Sequence, residues 1–315
     1  MRDLLIVFMG TPDFAVGVLK KLLDEEKNIV GVITAPDRPA GRGRKLKPSA
    51  VKEFALSKNL PVLQPTNLKD DVFLSELKKL KANLQIVVAF RMLPKVVWSL
   101  PEYGTFNLHA SLLPQYRGAA PINWAVINQE PNTGVTTFFI DEKIDTGAII
   151  LKEEVAISEK ETAGTLHDKL MDMGSELVVK TVSKIEADNA VPVPQIKDIT
   201  VKDAPKLTSD NTRINWNDTV ECIDAFIRGL SPYPVAWSML ENGGETLKAK
   251  IYSVTKEVAS HSEKPGTIST DKKSMKVATK NGYIYIKVIQ LPGKRKMDIA
   301  SLLNGFSFAK DAKLV

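Results

Sequence analysis

Residues 4–33 read LLIVFMGTPDFAVGVLKKLLDEEKNIVGVI. Leu4 to Phe8 is an unbroken apolar run, the pattern of a strand covered on both faces. Gly10-Thr11-Pro12-Asp13 turns the chain into a helix, with Thr11 as its cap and Pro12 and Asp13 in its first turn. Phe14, Val18, Leu19 and Leu22 recur at helical spacing, and a second strand spans 29–33. Further strand patterns fall at 85–90, 105–108 and 135–140, with amphipathic helical patterns near 49–58, 71–81 and 120–129. Alternation of this kind predicts an α/β domain built on an open, mostly parallel sheet. In such sheets ligands bind outside the carboxyl ends of the strands.

Beyond this half, a long helix is predicted over 163–188, with Leu166, Leu170, Met173 and Leu177 as its buried stripe. Residues 190–208 are polar and broken by proline, which reads as a linker. A short helix at 220–227 follows, then strands at 236–240, 247–254, 275–278 and 283–289. Asn281-Gly282 is a hairpin signal between the last two. Many short strands in about 100 residues suggest a small β-barrel. The expected division is therefore 1–189, linker 190–208, and 209–315.

The single cysteine, Cys222, excludes an internal disulfide and a cysteine-based zinc cluster. His109, His167 and His261 are scattered, so no histidine-rich metal site is expected. No apolar run approaches the roughly 20 residues of a membrane span. The first residues turn too soon for a signal peptide. A cytoplasmic protein is the expectation. The net charge of +6 is unevenly placed: residues 1–208 carry 27 Lys/Arg against 26 Asp/Glu, and residues 209–315 carry 16 against 11. A basic C-terminal part suggests a polyanionic partner, a solvated lysine surface being the plainer alternative.

The densest chemical signal is Asn107-Leu108-His109-Ala110-Ser111-Leu112-Leu113-Pro114, continuing to Arg117-Gly118-Ala119-Ala120-Pro121. Asn107 and His109 are two apart on a strand and so share a face. An amide and an imidazole converging on one point can hold a developing oxyanion. A lone histidine at a strand end is more often structural. Here a second partner changes the balance: Asp145, in Asp141-Glu142-Lys143-Ile144-Asp145-Thr146-Gly147. With a strand ending near residue 140, its loop is expected to open on the same edge of the sheet. A carboxylate beside an imidazole fixes its tautomer and raises its basicity. Asp-Thr-Gly is otherwise ordinary turn chemistry. The third signal is Pro36-Asp37-Arg38-Pro39-Ala40-Gly41-Arg42-Gly43-Arg44-Lys45-Leu46-Lys47-Pro48, with five cations in ten positions. It matches neither GxGxxG nor GxxxxGKS. A basic loop at this edge suits contact with a nucleic acid backbone.

These motifs, together with Gly10-Thr11-Pro12-Asp13-Phe14-Ala15 and Arg228-Gly229-Leu230-Ser231-Pro232-Tyr233-Pro234 with Trp237, occur in an order that resembles the methionyl-tRNA formyltransferase family over almost the whole length. The resemblance implies a Rossmann-like formyltransferase domain followed by an OB-like barrel. It implies formyl transfer from 10-formyltetrahydrofolate, as co-substrate, to the amine of charged initiator tRNA, by a monomer that needs no metal. Asn107, His109 and Asp145 are then the catalytic trio, and Ser111, Leu112, Leu113 and Pro114 belong to the folate-binding stretch. Arg42, Arg44 and Lys45 are expected to approach the tRNA.

Two departures stand out. The segment Val87-Val88-Ala89-Phe90-Arg91-Met92-Leu93-Pro94 is one residue shorter than the family pattern, with Arg91 where glycine is expected. Lys143 replaces a glycine before Asp145, where a left-handed turn is costly for lysine. The rival readings are an amino-sugar nucleotide formyltransferase, a 10-formyltetrahydrofolate hydrolase, and a nucleic-acid-binding protein with an inactive α/β domain. The basic loop and cationic barrel favour the tRNA substrate over the first two, and the intact trio argues against the third.

Overall fold

A computed structural model describes residues 1–40, 45–196 and 200–315. In chain order the first half contains β1 (Ile6–Gly10), α1 (Asp13–Asp24), β2 (Ile29–Ile33), β3 (Arg38–Ala40), β4 (Lys45–Lys47), α2 (Ala50–Ser57), β5 (Val62–Leu63), α3 (Asp71–Lys79), β6 (Leu84–Val88), α4 (Lys95–Trp98) and β7 (Thr105–His109). It continues through β8 (Arg117–Gly118), α5 (Pro121–Ile127), β9 (Asn132–Phe139), β10 (Ile149–Ala156) and α6 (Ala163–Glu186). After the two-residue β11 (Asp203–Ala204) come α7 (Val220–Gly229), β12 (Ala236–Asn242), β13 (Glu245–Val258), β14 (Ile268–Thr270), β15 (Met275–Ala278), β16 (Gly282–Gln290), β17 (Met297–Asp298), α8 (Ile299–Leu303) and β18 (Lys313–Leu314). The chain forms two compact units. One comprises Met1–Gly118, Thr133–Val155 and His167–Asp203, the other Ala119–Asn132, Ala156–Leu166 and Ala204–Val315. No helix among the described residues is long and apolar enough to cross a membrane.

The first unit is the expected α/β sheet, in the order β10-β9-β7-β6-β1-β2-β5. β1 lies parallel to β2 and β6, β2 to β5, and β6 to β7. All five residues of β1 and of β6 are buried, as expected of central strands, and the one polar residue among them, Gln85, accepts a hydrogen bond from the Thr105 hydroxyl at 3.0 Å. The cap of α1 differs from expectation. Pro12, not Thr11, is its N-cap, without a side-chain hydrogen bond, and the helix begins at Asp13. On α6, Leu170, Leu177, Val182 and Ile185 are buried, whereas Met173 is only half-buried. The position that completes the stripe is Gly174, where a Cβ would lie 2.8 Å from the Leu108 side chain. Helix α6 therefore sits close against the face of β7 that carries Phe106 and Leu108, which leaves the other face to Asn107 and His109.

In the second unit the sheet runs β14-β15-β16-β13-β12-β18, with β17 on β16. A bridge between Thr267 and Lys313, and hydrogen bonds from Ile268 N to Ala312 O and Leu314 N to Gly266 O, bring its two edges together into an OB-like, nearly closed barrel. Its core includes Ile223, Ile227, Ile251, Ile284 and Ile286. The hairpin signal is confirmed: Ala278 pairs with Tyr283 across it. Asn281 also accepts a hydrogen bond from Val220 N at 2.9 Å, tying the start of α7 to that turn. Helix α5 packs on α7, where a Cβ at Gly229 would lie 2.5 Å from Ile127.

Enlarging Gly174 tests the packing behind β7. Gly174→Leu forces Leu108 aside in a filled core and should cost about 1–3 kcal/mol, read as a lowered denaturation midpoint. An unchanged midpoint would show that α6 is free to retreat from β7.

Candidate active site

His109 and Asn107 both lie on the face of β7 that carries Thr105, whose hydroxyl bonds Trp98 O at 2.7 Å. His109 is buried, and its Nε2 lies 2.8 Å from Tyr116 O. A carbonyl only accepts, so Nε2 carries the hydrogen and Nδ1 is the ring nitrogen left for chemistry. That nitrogen faces Asp145 Oδ2 at 3.9 Å. Asn107 is half-buried and makes no hydrogen bond through its carboxamide to a described residue. Asn107 and His109 thus share one face of β7, and a separate loop brings the Asp145 carboxylate to His109.

Asp145 reaches this place by a different route from the one the strand order in the sequence suggests. β9 runs antiparallel to β7, with Phe139 opposite Phe106 and Ile140 N bonded to Thr105 O. The loop therefore leaves β9 at the amino end of β7 and returns along the sheet face towards His109. Several bonds hold it there. Asp141 accepts from Lys143 N at 3.0 Å and from the Thr146 hydroxyl at 2.8 Å, closing the turn on itself. Lys143 is not in the left-handed region; Asp145 is, at φ 54°. Arg117 Nε donates to Asp145 O at 3.0 Å, and Gln195 Nε2 donates to Asp145 O and Gly147 O, both at 2.9 Å. Gly118 N donates to Asp145 Oδ2 at 2.9 Å. Gly147 lies so close to β9 that a Cβ there would stand 1.7 Å from Phe139 O.

Gln195 was not legible as a site residue. It lies in the proline-broken segment expected to be a linker, yet it is buried, and its Oε1 accepts from Arg117 Nη2 at 2.5 Å. Nearby, Val193 bridges Ile149. Nothing in the local sequence distinguishes this glutamine from its polar neighbours.

The Ser111–Pro114 stretch forms a tight turn. The Ser111 hydroxyl donates to Gln115 O at 2.6 Å, and Thr136 Oγ1 both donates to Ser111 O at 2.7 Å and accepts from Leu113 N at 3.2 Å. Ser111, Leu113 and Pro114 are buried, and Leu112 is half-buried. The shortened segment after β6 carries Ala89 at φ 47°, and Arg91 turns back to donate to the carbonyls of Thr66 (2.9 Å) and Pro65. Lys95, just beyond it, pairs with Glu142 at 2.8 Å, joining this segment to the Asp145 loop. Met92 on one and Ile144 on the other are 70% and 58% exposed. Exposed apolar side chains on two such loops suit a flat, largely apolar ligand ring. Arg42 and Arg44 lie outside the described residues, and Lys45 opens β4 opposite Ala40. No three described His, Cys, Asp or Glu side chains gather into a set that could hold a metal ion.

Residues 3–182 match the formyl transferase family model, and residues 206–307 match that of the formyl transferase C-terminal domain. The methionyl-tRNA formyltransferase of Flavobacterium johnsoniae is 56% identical over 314 residues, covering 100% of both chains. That of Bacteroides thetaiotaomicron is 51% identical over 319 residues, covering 99% of each. Among solved structures, HypX from Aquifex aeolicus in complex with tetrahydrofolic acid superposes with a TM-score of 0.65 at 18% identity, over 96% of this chain and 47% of its own. The chain thus spans about half the length of that protein. The N-formyltransferase from Helicobacter canadensis, in complex with folinic acid and dTDP-3-aminofucose, gives 0.64 at 20% identity, over 90% of this chain and 98% of its own. The shared fold is an α/β sheet followed by a barrel.

Gln195→Ala should remove the donor that serves two loop carbonyls and cost about 1–3 kcal/mol. Chemical denaturation would measure this. Turnover should fall with it, because Asp145 loses one of its restraints.

Proposed function

The chain belongs to the formyl transferase family, and from that premise we propose that it transfers the formyl group of 10-formyltetrahydrofolate to the free amino group of methionyl initiator tRNA. The product is formylmethionyl-tRNA for translation initiation. Supporting this substrate over an amino-sugar nucleotide are full-length relatives at 56% and 51% identity, both methionyl-tRNA formyltransferases. We also propose that it works as a monomer in the cytoplasm, where charged tRNA is found, and without a metal.

The observation that carries the mechanism is the approach of His109 Nδ1 to Asp145 Oδ2 beside Asn107. Bound 10-formyltetrahydrofolate supplies the activated formyl carbon. The methionyl amine must lose a proton as its nitrogen bonds that carbon, and the folate nitrogen must regain one as its own bond to the carbon breaks. Asn107 donates an amide N–H to the oxygen on which negative charge grows. His109 serves at Nδ1: protonated there, it donates towards the same charge while Nε2–H stays on Tyr116 O. Asp145 stabilises that imidazolium and offers a carboxylate to the amine proton. Its bond from Gly118 N fixes the direction of the carboxylate. Ser111, Leu112, Leu113 and Pro114 hold the folate beside the trio, and the apolar Met92 and Ile144 suit its flat ring.

Arg42, Arg44 and Lys45 meet the acceptor end of the tRNA, and residues 209–315 meet its body. Several aromatic rings in the barrel are faced by cations. Lys248 lies 3.8 Å and Arg213 5.6 Å from the Trp237 ring centroid, and Lys296 lies 4.4 Å from that of Tyr252. Lys250 stands opposite Trp237 on the neighbouring strand. Lys294, Arg295 and Lys296 are exposed beside them. Cations supported by aromatic rings suit a phosphate backbone.

The deciding assay is formyl transfer to charged initiator tRNA, with an amino-sugar nucleotide as the parallel acceptor; transfer to the sugar alone would sink the reading. His109→Ala and Asn107→Ala should each lower turnover by roughly 10²–10³ with tRNA affinity retained. Asp145→Asn should fold normally and lose activity, seen as a changed height and shape of the pH–rate profile. Replacing Lys294, Arg295 and Lys296 by alanine should weaken tRNA binding and flatten its salt dependence by roughly 0.7–0.9 in log–log slope per lost phosphate contact.

A further inference from the structure

A cleft of about 330 Å³ opens beside the carboxyl end of the sheet, between the β3–β4 hairpin and the shortened segment after β6. It is at the small end of the range for ligand sites, about 300–1,000 Å³. Its floor is apolar, with the half-buried Phe90, Pro36 and Pro48, and three exposed cations rim it: Arg38, Lys47 and Arg91. Arg38 and Lys47 stand directly opposite each other across the hairpin. Like charges so placed are destabilising unless an anion lies between them. Partial burial and the charge of Arg38 both push the Arg91 pKa down, so the third cation feels the same field.

No described carboxylate neutralises this rim. Asp37, the nearest in sequence, is committed elsewhere: it accepts from Gln64 Nε2 at 2.8 Å and from Lys52 Nζ at 2.7 Å. Those bonds, the glutamine's first, hold its carboxyl below the usual range. Arg91 is held in place by the carbonyls of Pro65 and Thr66, which carry no net charge and leave its own charge uncompensated. Its guanidinium also lies 5.7 Å from the Phe90 ring centroid. A lone anion would satisfy the cations but not cover the apolar floor. A nucleotide does both, with a phosphate at the rim and a sugar or base against an aromatic ring and two prolines.

We propose that this cleft is a subsite for one nucleotide of the RNA acceptor strand, with Arg38, Lys47 and Arg91 on its phosphate and Phe90, Pro36 and Pro48 against its sugar or base. The inference rests on the functional reading above and extends it to Arg91, which stands where the family resemblance leads one to expect glycine. Arg91 here is a substrate-binding residue, not a catalytic one.

The test is equilibrium binding of methionyl initiator tRNA over a salt series, with KM measured separately for tRNA and for 10-formyltetrahydrofolate. Lys47→Gln and Arg91→Gln should each weaken RNA binding roughly tenfold and flatten the slope by roughly 0.7–0.9. The loss should appear in KM for tRNA and not in KM for the folate. Arg91→Lys keeps the charge but cannot reproduce both carbonyl bonds, so it should retain the wild-type slope; a purely structural role for Arg91 predicts that it does not. Unmoved slopes in both glutamine variants would overturn the subsite. So would a raised folate KM with normal RNA binding, which would give the cleft to the carboxylates of the folate tail. If the wild-type protein does not formylate methionyl-tRNA, the functional reading fails; if it does and the slopes stay put, only the subsite fails.

Discussion

Asp145 is held at both ends of its residue, and the candidate site depends on that restraint. Its backbone sits in the left-handed region, which costs a residue other than glycine roughly 1–2 kcal/mol. Two side chains distant in sequence, Arg117 and Gln195, bond its carbonyl, and the Gly118 amide bonds its carboxylate. A carboxylate on an unrestrained loop would not stay near one nitrogen of one buried ring. Gly147, two residues on, follows from the same constraint, since only the absence of a side chain allows the loop to pass so close to β9.

β7 serves two purposes because a strand has two faces. Phe106 and Leu108 point into the core, where Gly174 lets α6 come close. Asn107 and His109, alternating with them, point to the loop that carries Asp145. The reactive groups therefore inherit the rigidity of the packed face behind them. A shift of α6 would move the catalytic side of the same strand, which couples stability to geometry without any direct contact between Gly174 and the reacting atoms.

Charge is handled differently in the two compact units. In the α/β unit some basic groups near the site have acidic partners, as Lys52 has Asp37 and Lys95 has Glu142. The cleft formed by Arg38, Lys47 and Arg91 stands apart from that pattern. In the barrel, several cations lie instead over aromatic rings. Such rings orient a cation without cancelling its charge, which leaves it able to meet a phosphate.

The sequence by itself determined the alternation of strands and helices, the barrel that follows it, and the pairing of Asn107 with His109. Each is written in local periodicity: apolar runs for buried strands, 3.6-residue spacing for helices, and two-residue spacing for side chains on one face. It also placed Asp145 among the candidates, through its motif. Only the tertiary structure decided how Asp145 arrives. An antiparallel β9 sends its loop out at the far end of the sheet, and strand direction is not encoded in the apolar pattern of a single strand. Gln195 became a support for the site only on folding, because a polar residue in a proline-broken segment reads the same whether it faces water or two buried carbonyls. Arg91 likewise showed in sequence as a missing glycine. Its place on the rim of a cationic cleft came from the carbonyls of Pro65 and Thr66, which reach it across about 25 residues of chain, a separation that no local pattern can bridge.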